Sequence, residues 1–121
     1  MRILQSSEDY LETIYQIQNT KGFVRSIDVA KELNYSKASV SIAMKKLKEN
    51  DYITIDDTGY IHLTNKGQDI AIKINERHEI LTQALITLGV DKKQAEIDAC
   101  KMEHAVSEQT FEAIKNHIKR G

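Results

Sequence analysis

The sequence predicts a mainly α-helical fold with a single β-hairpin. Three observations support this prediction: apolar residues recur at helical spacing along most of the chain, two short helices meet at a three-residue turn, and two β-favouring runs flank a turn-forming tetrapeptide. Of the 121 residues, 40% are hydrophobic and 29% are charged, so the chain is too apolar to be disordered. Its length suffices for one modest core, or for one small domain and a second region completed by a partner.

The first predicted helix has its N-cap at Ser6 or Ser7 and ends near Asn19. Its apolar face consists of Tyr10, Leu11, Ile14 and Ile17. These residues are spaced three or four apart, so they share one side of the helix and are expected to be buried.

Two short helices follow and are joined by a tight turn. Ser26 opens the second helix, which ends at Leu33, and residues 34–36 lead into a third helix from Lys37 to about Asn50. The third helix has a narrow apolar stripe formed by Val40, Ala43, Met44 and Leu47. Two short helices with this connection are typical of a helix-turn-helix.

A hairpin is predicted directly after the third helix. The β-favouring runs 52–55 and 60–63 flank Asp56, Asp57, Thr58 and Gly59, which are turn-forming residues. A hairpin in this position is the wing of a winged helix-turn-helix. Three further helices are expected: 65–88 after a cap at Thr64, then 92 to about 105 after a capping box of Asp91 and Gln94, then 108 to about 119 after a cap at Ser107.

The third helix is the predicted DNA-reading element. The net charge is only −1, so any surface for nucleic acid has to come from local clustering of basic residues. The candidate contacts are Ser36, Lys37, Ala38, Ser39, Ser41, Ile42, Lys45 and Lys46. Lysines can neutralise phosphates, serines can bond to phosphates or bases, and Ala38 or Ile42 can touch a thymine methyl group. The alternative is a lysine-rich helix face that is merely solvated.

A second group of residues has the chemistry of metal ligands. Cys100, Glu103 and His104 stand at i, i+3 and i+4, so on a helix they share one face. Asp9 and Glu12 form an acidic pair on the first helix, and His78 lies on the apolar stripe of the long helix. Taken singly, these features also fit a buried packing cysteine, a solvated acidic face and a core histidine.

Four segments resemble the diphtheria toxin repressor and manganese transport regulator family. Residues 98–107, DACKMEHAVS, are similar to the segment that supplies the Cys, Glu and His of the repressor's activating site. Residues 8–15, EDYLETIY, resemble the first helix of the manganese regulators, whose Asp and Glu bind metal. Residues 77–79 resemble the segment with the family's ligand histidine, and residues 63–67 resemble the end of its wing.

The resemblance implies a set of six metal ligands: Asp9, Glu12, His78, Cys100, Glu103 and His104. The sequence is a hybrid. The manganese regulators have a carboxylate where Cys100 stands, whereas the iron-dependent relatives have a methionine at the Asp9 position and no acid at the Glu12 position. Thr82 and Glu96 occupy positions of the iron type's ancillary site, which is therefore altered. We expect a short form without the C-terminal SH3-like domain of longer relatives.

The implied function is that of a metal-responsive repressor. We expect a homodimer that binds a palindromic double-stranded DNA operator when loaded with Mn(II) or Fe(II), with Co(II), Ni(II) or Zn(II) as substitutes in vitro. Residues 1–64 would form the winged-helix DNA-binding domain, and residues 65–121 a helical metal-binding and dimerisation region. One alternative is a winged-helix regulator that responds to an organic ligand or to thiol oxidation at Cys100.

A metalloenzyme is the other alternative. It is disfavoured because no nucleophile–base arrangement is visible, so we expect neither an enzyme nor a small-molecule substrate.

A cytoplasmic location without membrane contact is expected. No apolar stretch approaches the ~20 residues that span a bilayer, and residues 1–5 do not resemble a signal peptide. The single cysteine excludes an internal disulfide.

Overall fold

The computed structural model describes residues 5–120, which form six helices and a two-stranded antiparallel sheet. The elements in chain order are α1 Gln5–Lys21, α2 Ser26–Leu33, α3 Lys37–Glu49, β1 Ile53–Ile55, β2 Ile61–Leu63, α4 Asn65–Thr87, α5 Lys92–Met102 and α6 Glu108–Arg120. The chain divides into two compact units, and the division falls within α4, between Ile72 and Lys73. Within residues 5–120, none of the helices combines the length and the apolar composition that a membrane span requires.

The core of the first unit is built from the predicted apolar faces. Tyr10, Leu11 and Ile14 of α1 are buried, as are the α3 residues Val40, Met44 and Leu47. The strands add one buried residue each, Ile53 and Ile61. The helical stripes read from the sequence are therefore confirmed. Ser6 and Ser7 lie inside α1 rather than at its cap, because the helical backbone already begins at Gln5.

Ser26 is the first residue of α2 and does not cap it. The N-terminus of the helix is stabilised instead by the side chain of Asp28. The Asp28 carboxylate accepts the backbone N–H of Arg25 at 2.9 Å and the Lys21 ammonium at 2.7 Å. The hydrogen bond from Lys21 is the main cause of the lowered pKa of Asp28. The helix ends at Asn34, which adopts a left-handed conformation with φ +58° that asparagine tolerates.

The helix-turn-helix is completed by the cap of α3. Ser36 Oγ accepts the N–H of Ser39 at 3.1 Å, so Ser36 is the N-cap of this helix. In the turn just before it, the Tyr35 ring makes an edge contact with Tyr10 of α1, with centroids 6.0 Å apart. The turn that leads into α3 is thus anchored on α1.

The wing is a short antiparallel hairpin. Ile53 pairs with Leu63, and Ile55 pairs with Ile61. Each strand lacks the first residue of its predicted run, 52–55 or 60–63. Tyr60 belongs to the turn, which is held together by the side chain of Asp56. The Asp56 carboxylate accepts hydrogen bonds from the backbone N–H of Thr58 and of Tyr60 and from the Thr58 hydroxyl.

Thr64 joins the wing to α4 and acts as the predicted N-cap. Its hydroxyl donates to the carbonyl of Asp51 at 2.7 Å and accepts the N–H of Gly67 at 3.1 Å. The carbonyl of Tyr52 accepts the N–H of Thr64 and lies directly against Gly67, where a Cβ atom would overlap it. Only glycine fits this position without displacement of the backbone.

The second unit contains the rest of α4 together with α5 and α6. Gly89 follows α4 with φ +107°, a backbone conformation that glycine adopts without strain. Asp91 caps α5 by accepting the N–H of Gln94, but the Gln94 side chain binds Asp98, so the predicted capping box is only half formed. Ser107 caps α6 as predicted. The apolar residues buried in this unit are Ile74, Leu81, Ala95, Ala99 and Phe111.

Candidate functional site

Glu103 lies at the centre of the candidate metal site in the second unit. Its side chain is fully buried at 0% exposure. Its Oε2 atom lies 3.0 Å from Nδ1 of His78, and its Oε1 atom lies 3.3 Å from Nε2 of His104. The second unit therefore places one carboxylate against two imidazole rings.

Glu103 and His104 are positioned by the turn that follows α5 and not by a continuation of that helix. The predicted helix to about Ala105 ends at Met102, and Glu103 is its C-cap with φ −59° and ψ −27°. The N–H groups of Ala105 and Val106 both donate to the carbonyl of Met102, which tightens the chain after the helix. His104 is consequently placed by the turn and not by regular helical spacing.

One oxygen of the Glu103 carboxylate lacks a hydrogen bond. Oε1 of Glu103 is buried and has no hydrogen-bond partner among residues 5–120, because its contact with His104 does not have hydrogen-bond geometry. A buried carboxylate oxygen without a partner is costly, and a cation removes that cost by taking the lone pair. A carboxylate with two imidazoles is also a common donor set for divalent transition metals. The residues present therefore fit a metal ion.

Cys100 is on α5 and is exposed. This exposure excludes the alternative in which the cysteine is a buried packing residue. It lies one helical turn before Glu103, whose N–H donates to the Ala99 carbonyl and so continues the helical geometry as far as the C-cap. The thiol is accessible to solvent and to ions.

Asp9 and Glu12 belong to α1 in the first unit. They are one helical turn apart, and Glu12 is buried with 7% of its surface exposed. The amide of Gln16 donates to Glu12 at 3.5 Å. Since carboxylates are rarely buried without a partner, the alternative of a fully solvated acidic face does not describe Glu12.

The predicted DNA-facing residues are all exposed; seven lie on α3, and Ser36 is its N-cap. They are Ser36, Lys37, Ala38, Ser39, Ser41, Ile42, Lys45 and Lys46. Ile42 is a large apolar residue with 61% of its surface exposed, so its side chain is accessible for a contact. The Ser36 hydroxyl donates to Ser39 Oγ as well as capping the helix, so part of its bonding capacity is already used.

Two arginines have roles that sequence reasoning did not assign. Arg25 stacks on the Tyr60 ring of the wing, with its guanidinium carbon 4.5 Å from the ring centroid. Arg77 bonds to the turn that carries Glu103 and His104. Neither role leaves a local signal in the sequence, because each depends on partners far away along the chain.

Comparison with known families accounts for both halves of the chain. Residues 2–64 match the profile described as iron dependent repressor, N-terminal DNA binding domain. Residues 64–120 match the profile described as iron dependent repressor, metal binding and dimerisation domain. Together the two profiles cover nearly all of the sequence.

Individual proteins similar to this chain are described as HTH-type transcriptional regulators. An uncharacterised HTH-type transcriptional regulator of Methanocaldococcus jannaschii is 38% identical over 118 residues, which cover 96% of this chain and 94% of that protein. The HTH-type transcriptional regulator MntR of Bacillus subtilis is 34% identical over 114 residues, which cover 94% of this chain and 80% of MntR.

Two solved structures are similar in fold. The manganese regulator SloR superposes with a TM-score of 0.83 at 26% identity, covering 95% of this chain and 54% of SloR. A manganese-dependent transcriptional repressor in complex with manganese gives a TM-score of 0.86 at 26% identity, covering 93% of this chain and 52% of the repressor. The chain thus spans about half the length of these two regulators.

Proposed function

Because this chain belongs to the iron-dependent repressor family, we propose that it is a metal-responsive transcriptional repressor. In this proposal it binds a palindromic DNA operator as a homodimer when loaded with Mn(II) or Fe(II). The observation that carries the proposal is the buried Glu103 carboxylate between the His78 and His104 rings. Members of the family are transcriptional regulators and not enzymes, so the metalloenzyme alternative is dropped.

The proposed ligands are His78, Cys100, Glu103 and His104 from the second unit and Asp9 and Glu12 from α1. Donor chemistry and the resemblance support this set. The three carboxylates are hard oxygen donors that suit Mn(II), whereas the Cys100 thiolate and the imidazoles also suit Fe(II). For the same reason Co(II), Ni(II) or Zn(II) should substitute in vitro. When bound, the ion supplies positive charge that offsets the clustered carboxylates.

The proposed DNA contacts are the eight exposed residues of α3 and its cap. Lys37, Lys45 and Lys46 would neutralise phosphates, while Ala38 and Ile42 would pack against thymine methyl groups. This helix contains neither arginine nor glutamine for a bidentate base contact. Operator spacing, wing contacts and DNA shape are therefore expected to contribute to specificity.

The proposed dimer is formed by residues 65–121, and residues 1–64 form the DNA-binding domain. Large apolar side chains remain exposed in the second unit at Ile86, Leu88 and Ile97, and Leu88 is 80% exposed. A two-fold contact with a second copy would remove such side chains from water. Sedimentation at micromolar concentration with Mn(II) present should give a dimer, and a stable monomer would contradict this part of the proposal.

The proposed mechanism is thermodynamic linkage. In this mechanism, the proposed ligands on α1 and in the second unit bind one metal ion. Metal binding favours the arrangement in which the two α3 helices of a dimer are spaced about one DNA turn apart. Linkage is reciprocal, so operator DNA should raise the affinity for metal. The proposal places the protein in the cytoplasm, together with its DNA. A response to an organic ligand or to Cys100 oxidation is not favoured, because both halves match a metal-dependent family.

Selection from random duplex DNA tests the proposal. The full chain is incubated anaerobically with a pool of random 40-base-pair duplexes and Mn(II), Fe(II) or EDTA. Enrichment of a two-fold symmetric sequence with either metal, but not with EDTA, is the expected result. Binding of the enriched duplex that is equally strong in EDTA would refute metal control. A titration of that duplex with Mn(II) and with Fe(II) then ranks the two ions.

A further inference from the structure

Arg77 connects all three helices of the second unit. It extends from α4, and its Nη1 atom donates to the carbonyl oxygens of Glu103 at 3.1 Å and Val106 at 2.6 Å. Its Nη2 atom pairs with the Glu108 carboxylate of α6 at 2.9 Å. The guanidinium carbon lies 5.1 Å from the centroid of the buried Phe111 ring. The Arg77 side chain is only 16% exposed, so its bonds to the two carbonyls are partly shielded from water, whereas Glu108 is 75% exposed.

The turn that Arg77 holds is the one that carries two of the proposed metal ligands. Glu103 and His104 lie beyond the end of α5, where backbone carbonyls have no partner within the helix. Arg77 supplies that partner with a charged donor, which gives shorter and stronger hydrogen bonds than a neutral one. The planar guanidinium also fixes the relative direction of the two carbonyls.

Arg77 and His78 hold the same residue from two sides. They are consecutive on α4, so their side chains leave the helix about 100° apart. Arg77 binds the backbone carbonyl of Glu103, while His78 faces the Glu103 carboxylate at 3.0 Å. Because Arg77 fixes the backbone of Glu103, only the side-chain torsion angles of Glu103 remain to be fixed before its carboxylate can bind a metal ion.

We propose that Arg77 is a positioning residue that holds the 103–106 turn in its ligand-binding conformation before metal arrives. The inference rests on the proposed function and deepens it, because it names a residue that sets metal affinity without touching the ion. Residues that orient metal ligands typically change metal affinity by about 10- to 100-fold when they are removed. That range is the effect expected when the two carbonyl bonds are removed.

A purely structural role is the competing explanation, and two variants distinguish it. Arg77→Lys keeps the positive charge and most of the aliphatic stem but cannot bond two carbonyls with a planar fork. Glu108→Gln weakens the ion pair of Arg77 and leaves both carbonyl bonds in place. Lys115→Ala serves as the matched control, since it removes another α6–α4 ion pair, with Glu76, that does not involve the turn.

The experiment is an anaerobic Co(II) titration of each full-length variant, with the cobalt d–d absorption spectrum and the unfolding midpoint recorded in parallel. Arg77→Lys should lose about 10- to 100-fold in Co(II) affinity and show an altered spectrum. Glu108→Gln and Lys115→Ala should retain the affinity and spectrum of the unmodified protein. Unchanged Co(II) affinity in a folded Arg77→Lys protein would overturn the inference.

Hydrogen exchange without metal gives a test that does not depend on the variants. In the metal-free, unmodified protein, the amides of Ala105 and Val106 should already be protected, because Arg77 keeps the turn closed. Rapid exchange of both amides would overturn the inference even if Arg77→Lys did not fold. Failure of the unmodified protein to bind Co(II) or Mn(II) would refute the proposed function as well. Normal binding with unchanged affinity in Arg77→Lys would refute the Arg77 role alone.

Discussion

His78 Nδ1 lies 3.0 Å from Oε2 of Glu103, although 25 residues separate the two in the chain. One partner is on the long helix α4 and the other is the C-cap of α5. The contact buries a carboxylate that would otherwise be strongly hydrated, so the fold itself maintains a polar cluster in the second unit. This cluster is what distinguishes the unit from an ordinary helical dimerisation region.

Replacement of Glu103 tests whether this cluster binds the metal. Glu103→Gln keeps the volume of the side chain and removes its charge, so the chain should still fold. Affinity for Mn(II) should fall by more than the roughly 100-fold seen when only the orientation of a ligand is disturbed. Calorimetric titration measures the affinity, and Glu112→Gln, an exposed change on α6, is the control. Equal Mn(II) affinity in both variants would remove Glu103 from the site.

The lysines of α3 are tested through the salt dependence of DNA binding. Lys45→Ala combined with Lys46→Ala should weaken binding to all duplexes and should flatten the plot of log affinity against log salt. For every phosphate that is no longer neutralised, the magnitude of the slope should fall by about 0.9. The control removes two exposed lysines of α5, with Lys92→Ala and Lys93→Ala. If the α3 variant keeps the affinity and slope of the unmodified protein, this helix does not face DNA.

Cys100 is expected to tune the choice of metal. A thiolate favours Fe(II), Co(II) or Zn(II) over Mn(II), and Cys100→Glu restores the ligand type of the manganese regulators. The variant should keep Mn(II)-activated DNA binding and lose part of its response to the softer ions. Because Cys100 is exposed, the added charge should not disturb folding, which a thermal unfolding curve checks. A stable variant with an unchanged ranking of metals would contradict this role.

The stability of the turn in the wing should depend on pH in the acid range, because the Asp56 carboxylate titrates there. Its carboxylate faces His62 and accepts bonds from Thr58 and from the backbone of Tyr60, which hold the pKa of Asp56 far below its usual value. A lowered pKa in the folded state stabilises the turn above the unfolded value of about 4. The stabilisation is lost progressively as pH falls below that value.

The amide proton shifts of Thr58 and Tyr60 report on this titration by NMR. Their common midpoint should lie well below about pH 3.9, the ordinary value for aspartate. In Asp56→Asn this low-pH transition should disappear, because the variant has no carboxyl group to titrate at position 56. A midpoint near the ordinary value would show that the bonds to Asp56 do not form in solution.

Gly67 should be intolerant of any side chain. In Gly67→Ala the new Cβ atom would overlap the carbonyl oxygen of Tyr52, so the wing or the start of α4 has to shift. Overpacking of this kind costs about 1–3 kcal/mol of unfolding free energy. Denaturant unfolding measures the loss, and Gln68→Ala at the next, exposed position should change stability by less than about 0.5 kcal/mol. A Gly67→Ala protein of normal stability would mean that the contact relaxes without cost.

Most of the secondary structure was determined by the sequence itself. The caps at Thr64, Asp91 and Ser107 and the buried stripe of α3 were predicted correctly, because each depends on residues within three or four positions of one another. The same locality explains why the candidate ligands could be recognised by residue type and spacing. Their joint role in binding metal, and the role of α3 in binding DNA, remain predictions.

The positions, burial and hydrogen bonds of the candidate ligands in the second unit were decided only by the tertiary structure. The end of α5 at Met102, the complete burial of Glu103 and the bonds of Arg77 were not predicted from the sequence. Arg77 bonds to carbonyls 26 and 29 residues away, and His78 meets Glu103 across two helices. Contacts of such separation are set by how helices pack and by where buried polar groups find partners, and neither leaves a periodic signal in the local sequence.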